Sequence, residues 1–308
     1  MTAGVVHPKV VALVPAWKAS AFIAATLDAL AAQSCPNLEI LISDDASPDE
    51  TAAICERYAA RDARFRVIRQ PRNLGWTGNV NALLQEARGD YFLFAFHDDL
   101  TEPGYVERCV AALEANSRAI IAFSDIAVVN PDGSREEMSY AMLDGMADRL
   151  RRAGLVARMQ GFWWIPNRGV FRAHAARAIG GLRRHFAGEF SADWPWLLRM
   201  SLLGEFVRIP ERLVTKIFRQ RSLSLGWNYG LGPFSAVTLS AMGAVFRAEM
   251  LTREKLVLYG TLAEALAGLA RRLLWRAIRR PLGRGLRSLG LRRSTLVPKS
   301  PDHGKAGR

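Results

Sequence analysis

The sequence predicts an α/β fold: a mainly parallel sheet flanked by helices, with a C-terminal basic helical extension. Three observations carry that expectation. Over the first hundred residues, short apolar runs alternate with segments of helical spacing, giving four strands. That order builds parallel strands joined by right-handed crossovers. Tyr91–Phe96 is an unbroken aromatic and apolar run, the composition of a strand buried on both faces. Acidic pairs, Asp44-Asp45 and Asp98-Asp99, follow two of the runs at once, at the sheet edge where open α/β folds bind ligands.

The elements follow in order. Val10–Pro15 reads as a first buried strand ended by its proline. Ala21–Gln33 has helical spacing, with Phe22, Ile23, Leu27 and Leu30 on one face and Ser20 as its N-cap. Leu38–Ser43 is a second strand, and Asp44–Asp49 has turn and cap chemistry. A helix over residues 50–61 turns Ala53, Ile54 and Tyr58 inward, and residues 64–69 form a third strand. Residues 73–78 form a loop, Asn79–Ala87 a helix stopping at Gly89, and then comes the central strand. Residues 102–116 are helical and 119–129 extended, with a turn at Asn130-Pro131-Asp132-Gly133. Residues 134–159 read as loop and short helix. Ala173–Ile179 is a helix ending at Gly180-Gly181, and Asp193–Leu203 another. Residues 206–209 and 213–219 are short strands around Pro210-Glu211. A long helix over 256–278 carries Leu262, Leu266, Leu269 and Leu273 on one stripe and Arg272, Arg276 and Arg279 on another, until Pro281 and Gly283 break it. The last twenty or so residues read as a flexible basic tail. There is no internal repeat.

The net charge of +13 is unevenly placed. Residues 271–308 hold 12 Lys/Arg and one acid, so the body before them is nearly neutral. Cys35, Cys55 and Cys109 form no disulfide framework, which points to a reducing compartment. The first residues do not read as a signal peptide, and no apolar run is long enough to be expected to span a membrane. The expected location is therefore cytoplasmic, peripheral on the inner face of the plasma membrane if residues 256–293 engage an anionic surface. A basic amphipathic helix can lie in such an interface; a helix docked on the body by its Leu stripe is the alternative.

If the sheet is parallel, Pro15-Ala16-Trp17, Asp44-Asp45 and Asp98-Asp99 share one edge. Trp17 could stack on a flat ring, Asp45 accept from a base or ribose, and Asp99 hold a metal against a diphosphate. Asp44-Asp45 could equally cap the next helix. No G-x-x-x-x-G-K-[ST] or G-x-G-x-x-G loop occurs, so acids and metal would have to hold a nucleotide. Trp163, Trp164 and Arg168 could line an acceptor site or be core residues.

These motifs, in this order and spacing, resemble the family-2 glycosyltransferases, inverting enzymes with the Rossmann-like GT-A fold. The resemblance rests on Val10–Trp17, Leu41–Thr51, Asn73-Leu74-Gly75 with Asn79, and Gly89–Asp99. It continues through Asn167–Arg172, Gly180-Gly181-Leu182, Ala192-Asp193-Trp194 and Pro210–Arg219. It implies that residues 1–110 form a nucleotide-sugar-binding half, 111–226 an acceptor-binding half, and 227–308 a basic helical extension. The implied donor contacts are Pro15, Ala16, Trp17, Asp44, Asp45, Asn73, Gly75, Asn79 and Asp98. Asp99 and Asp98 would bind Mg²⁺ or Mn²⁺, Trp164, Asn167 and Arg168 the acceptor, and Asp193 would be the general base. Asp193 could instead be a helix N-cap before Trp194 and Pro195.

The implied reaction moves a single sugar from a nucleotide-sugar donor to a glycan or lipid-linked acceptor in cell-surface polysaccharide synthesis. Two departures stand out: His97 where many members have an acid, and Ala192 where a Glu usually precedes the catalytic Asp. No His follows Arg219 in Gln220-Arg221-Ser222, and the Q-x-x-R-W segment of processive synthases is missing. A sugar-nucleotide pyrophosphorylase is the alternative in related chemistry, but Ala16–Ser20 lacks the glycines it needs. A nucleic-acid or anionic-surface binder acting through the Arg-rich tail is another; the near-neutral body argues against nucleic acid.

Overall fold

The structure, a computed structural model, describes residues 7–159, 162–219 and 226–288; of 276–288 it describes the helix but not the side chains. Gln220–Ser222, the Arg276 and Arg279 side chains and the expected tail past Ser288 lie outside the described residues.

The sheet order follows from the apolar runs. β1 (Val10–Ala16) is buried along its whole length and pairs in parallel with β2 (Leu38–Asp44) and β4 (Tyr91–Phe94). β3 (Phe65–Arg69) adds to β2 in parallel. β5 (Asp99–Thr101), β6 (Ala119–Val129), β7 (Arg135–Met138), β8 (Val170–Arg172) and β9 (Glu205–Ile217) complete a nine-stranded sheet. Its order is β3-β2-β1-β4-β8-β6-β9-β5, with β7 on β6. The first four strands are parallel, whereas β8 runs antiparallel to both its neighbours. The chain winds outward from β1 to β3 and then returns to β4. That reversal opens a crevice at the carboxyl ends of β1 and β4.

Helices α1 (Ile23–Ala31), α2 (Thr51–Ala59), α3 (Gly75–Glu86) and α4 (Tyr105–Ala115) pack against the sheet. α6 (Ala173–Ile179) ends at Gly180, whose φ of +74° suits glycine. α5 (Arg149–Ala157), α7 (Asp193–Leu203), α8 (Leu231–Phe246) and α9 (Thr252–Ser288) pack on one another.

Several expectations need correction. Ser20 does not cap α1; its hydroxyl donates to Asp49 at 2.8 Å. α2 buries Thr51, Ala52 and Cys55 most deeply, and Ile54 and Tyr58 pack half-buried against the core as expected. α3 begins at Gly75, inside the expected loop, since the Glu189 carboxylate satisfies its first N–H groups. The two strands around Pro210 are one, with a bulge against Asp125 that absorbs the missing proline N–H. β7 was missed because its four residues are mostly exposed. α9 continues through Pro281 and Gly283; a proline costs a helix one hydrogen bond and does not dictate a stop. Leu258 and Leu262 are buried on the body, so the start of α9 is docked.

Candidate active site

The crevice is built from the ends of β1, β2 and β4. Pairing sets Ala16 beside Asp44, and the Asp45 N–H donates to the Ala16 carbonyl at 2.9 Å. Pro15 gives its carbonyl to His97 Nδ1 at 2.8 Å. The Thr26 hydroxyl of α1 reaches the His97 and Asp99 carbonyls, 3.0 Å each, and pins the turn carrying Asp98. Trp17 is exposed at the rim.

Asp44 and Asp45 are both buried, and neither caps α2. Asp44 accepts from the Ser47 N–H at 3.1 Å. Asp45 accepts from the Leu74 N–H at 2.6 Å, while the Asn73 side chain donates to the Asp45 carbonyl. Burial pushes the Asp45 carboxyl up against the pull of the Leu74 and Gly75 amides. Asn79 donates to the Ser43 carbonyl at 3.0 Å. Gly75 sits at φ +76°, and a Cβ there would strike Arg184 and Glu189. Asp44 Oδ1 and Asn79 Oδ1 are buried without a hydrogen-bond partner in the protein. Pro15, Ala16, Trp17, Asp44, Asp45, Asn73, Gly75 and Asn79 are thus brought to one edge, as expected.

The Asp98-Asp99 pair is arranged differently from the expectation. β5 sets Asp99 opposite Lys216 of β9. Lys216 Nζ lies 3.3 Å from Asp98 Oδ2 and 3.4 Å from Asp99 Oδ1. Asp99 Oδ2 lies 2.7 Å from Arg168 Nε. Burial opposes ionisation of Asp98, but the charges of Lys216, His97 and Arg168 hold its carboxyl below the usual range. The expected Mg²⁺ or Mn²⁺ would meet two carboxylates that already have cationic partners. The arrangement does not fit a divalent ion held between the two acids.

Arg168, expected at the acceptor, makes contacts within the fold. It is buried on Asp99, its guanidinium 4.8 Å from the Trp164 ring and 5.2 Å from the Phe96 ring. Its backbone carbonyl accepts from the Tyr105 hydroxyl at 2.6 Å. It therefore belongs to the ion-pair cluster, and Trp164 packs on it.

Asp193 opens α7, with Ala192 at the N-cap position. The Asn167 amide donates to Asp193 Oδ2 at 2.8 Å. Burial pushes the Asp193 carboxyl up to about 6, against the pull of nearby amides and of Arg168. A carboxylate that loses its charge so near neutrality suits proton transfer. Burial and then the Asp193 charge raise the Tyr229 phenol, so Tyr229 lies near Asp193. Trp227 and Tyr229 pack around Phe190.

Three contributors went unread in the sequence: Lys216, Tyr229 and Glu189. Glu189 accepts from the Trp76 and Thr77 N–H groups at 3.1 Å each and pairs with Arg184 at 2.8 Å, tying the segment before α7 to the start of α3. Lys216 left a trace, as the one charge in Leu213–Phe218.

Comparisons with known proteins agree with this architecture. The model of the family described as glycosyl transferase family 2 matches residues 11–174. The putative glycosyltransferase EpsH of Bacillus subtilis is 30% identical over 182 residues, covering 54% of this chain and 49% of EpsH. The chain spans half or less of the length of EpsH and other curated relatives. Among solved structures, Staphylococcus aureus TarS 1-349 in complex with UDP-GlcNAc superposes with a TM-score of 0.68 at 17% identity, covering 83% of this chain and 72% of TarS 1-349. The mannosyltransferase PcManGT of Pyrobaculum calidifontis, solved with GDP-Man and Mn²⁺, gives 0.57 at 17% identity, covering 92% and 84%.

Proposed function

The chain belongs to glycosyl transferase family 2, and from that premise we propose that it moves a single sugar, with inversion, from a nucleotide-sugar donor to a hydroxyl of a glycan or lipid-linked acceptor. The observation that carries this reading is the Asp193 carboxyl, raised to about 6 and oriented by Asn167. The β1/β4 crevice and its two unpartnered buried oxygens, Asp44 Oδ1 and Asn79 Oδ1, support a donor site. The UDP-GlcNAc bound to TarS supports a nucleotide sugar as its ligand.

In this reading Asp45 meets the base or ribose, Trp17 covers the ring, and the diphosphate lies toward Asp98. Asp193 takes the acceptor proton as that oxygen attacks the anomeric carbon, help worth about 10²–10⁴-fold. Asn167 positions the carboxylate. Residues 1–110 hold the donor, 111–226 the base and acceptor, and 227–308 the extension. Lys216 and Arg168 already pair both acids, so in this reading the donor is held without Mg²⁺ or Mn²⁺.

A role in cell-surface polysaccharide synthesis is the setting proposed for such an acceptor. Among the described residues, no helix is long and apolar enough to cross a membrane. Phe246, Leu251, Leu256, Val257 and Trp275 are exposed on α8, α9 and their junction, with Arg253, Lys255, Arg271 and Arg272 nearby in sequence. This mix supports peripheral contact with an anionic membrane surface. The test of the transferase reading is Asp193→Asn: sugar transfer falls by about 10²-fold or more while donor binding stays. Unchanged transfer in that variant would remove Asp193 from the chemistry.

A further inference from the structure

We infer that this chain binds the donor's diphosphate without a divalent cation, the Lys216 ammonium standing between Asp98 and Asp99 where a metal would otherwise sit. The inference rests on the donor site proposed above. Its first support is geometric. Lys216 faces Asp99 across the β5–β9 ladder, and its Nζ is nearly equidistant from the two acids, 3.3 Å from Asp98 and 3.4 Å from Asp99. Its side chain is only 9% exposed.

Charge matching is the second support. Arg168 takes the other oxygen of Asp99 at 2.7 Å, so two buried cations already answer two carboxylates. A divalent ion would have to expel a buried ammonium from its partners, and an unpaired buried charge is strongly unfavourable. Lys216 also packs over the Phe218 ring at 4.9 Å, so it is held on two sides.

The third support is His97: it shares a hydrogen bond with the Pro15 carbonyl and stacks on Phe22, so it is already engaged. A second cation stands on the same edge: the Arg219 guanidinium lies 4.5 Å from the Phe22 ring.

The chemistry closes without metal. The bond between the anomeric carbon and the diphosphate oxygen breaks, and its electron pair leaves with the nucleoside diphosphate. The acceptor oxygen forms the new bond, and its proton goes to Asp193. The Lys216 ammonium has three N–H donors and two carboxylate partners, so one N–H is left to donate to a diphosphate oxygen. Lysine and arginine both suit phosphate oxygens.

The test is calorimetric titration of the full chain with UDP and GDP, in excess EDTA and again in Mn²⁺, with thermal melts as the folding control. The wild type is expected to bind one of the two with affinities within about twofold in both buffers. Lys216→Met is expected to lose about tenfold or more in EDTA, the loss of a charge-assisted contact, and to regain affinity with Mn²⁺ once the space between the acids is vacated. Lys216→Arg should keep metal-free binding. Wild-type binding that requires Mn²⁺ and vanishes in EDTA would overturn the inference and leave the donor site standing. No binding of either nucleotide in either buffer would overturn both. Should Lys216→Met fail to fold, the wild-type comparison alone decides.

Discussion

The Asn167 side chain donates one hydrogen bond, 2.8 Å long, to the Asp193 carboxylate. The bond runs from a 3-10 turn at Ile165–Arg168 to the first residue of α7. It ties the carboxylate to that turn, while the backbone N–H groups of Asp193 and Trp194 also stabilise its charge. Because the bond favours the ionised carboxylate, Asn167→Ala should move the Asp193 titration upward. The expected result is an acidic limb of kcat/KM displaced to higher pH, with a smaller loss of rate than Asp193→Asn gives. A rate loss with an unmoved limb would make Asn167 a packing residue only.

The pH dependence of the wild type follows from Asp193 itself. Its carboxyl sits at about 6 in the fold and at about 3.9 in an unfolded chain. As a base it must be ionised, so kcat/KM should rise through about pH 6 and level off above it. Stability runs the other way. Between the two values the folded state holds more protons, so this contribution is full below the unfolded value and lost as pH rises through about 6. Asp193→Asn should therefore be more stable than the wild type at pH 7, by up to about 3 kcal/mol. Denaturant melts at pH 5 and pH 7 check the sign.

Glu189 ties the start of α3 to the segment before α7 through two amide hydrogen bonds, the Thr77 hydroxyl at 2.7 Å and Arg184. Burial opposes its ionisation, yet Thr77 and Arg184 hold its carboxyl low. Glu189→Ala should cost about 1–3 kcal/mol by leaving those amides unpaired, read by chemical denaturation. It should also weaken donor binding, since Asn73, Leu74 and Asp45 form one connected turn. A variant as stable as the wild type would mean that the tie is ornamental.

Arg168 separates two roles. As an acceptor contact, its loss would raise the acceptor KM and leave the fold intact. As the partner of buried Asp99, its replacement by Met strands a carboxylate and should cost about 3–5 kcal/mol. Thermal melts distinguish the two, and a large fall in Tm is expected.

The legible part of this chain was its periodic part. The apolar runs at Val10, Leu38 and Tyr91 became β2's and β4's parallel partnership with β1, because strands buried on both faces have no other composition. The acidic ends of those strands announced the crevice. The second half of the sheet was harder to read. β8 has three residues, β7 is mostly exposed, and β9 passes a proline by means of a bulge. The ion-pair cluster was invisible for another reason. Asp99, Arg168 and Lys216 lie far apart in sequence, and only the β5–β9 register and the turn before β8 bring them together. Arg168 therefore read as an acceptor residue, and Lys216 did not stand out.

The central claim is that the β1/β4 crevice is a nucleotide-sugar site served by Asp193. The most direct measurement is equilibrium binding of UDP-, GDP-, dTDP- and CMP-sugars to the wild type, Asp45→Ala and Asp193→Asn, each with and without Mn²⁺. The account predicts saturable binding of one nucleotide class to the wild type and to Asp193→Asn, and its loss in Asp45→Ala. A well-folded wild type that binds none of them in either buffer would contradict it.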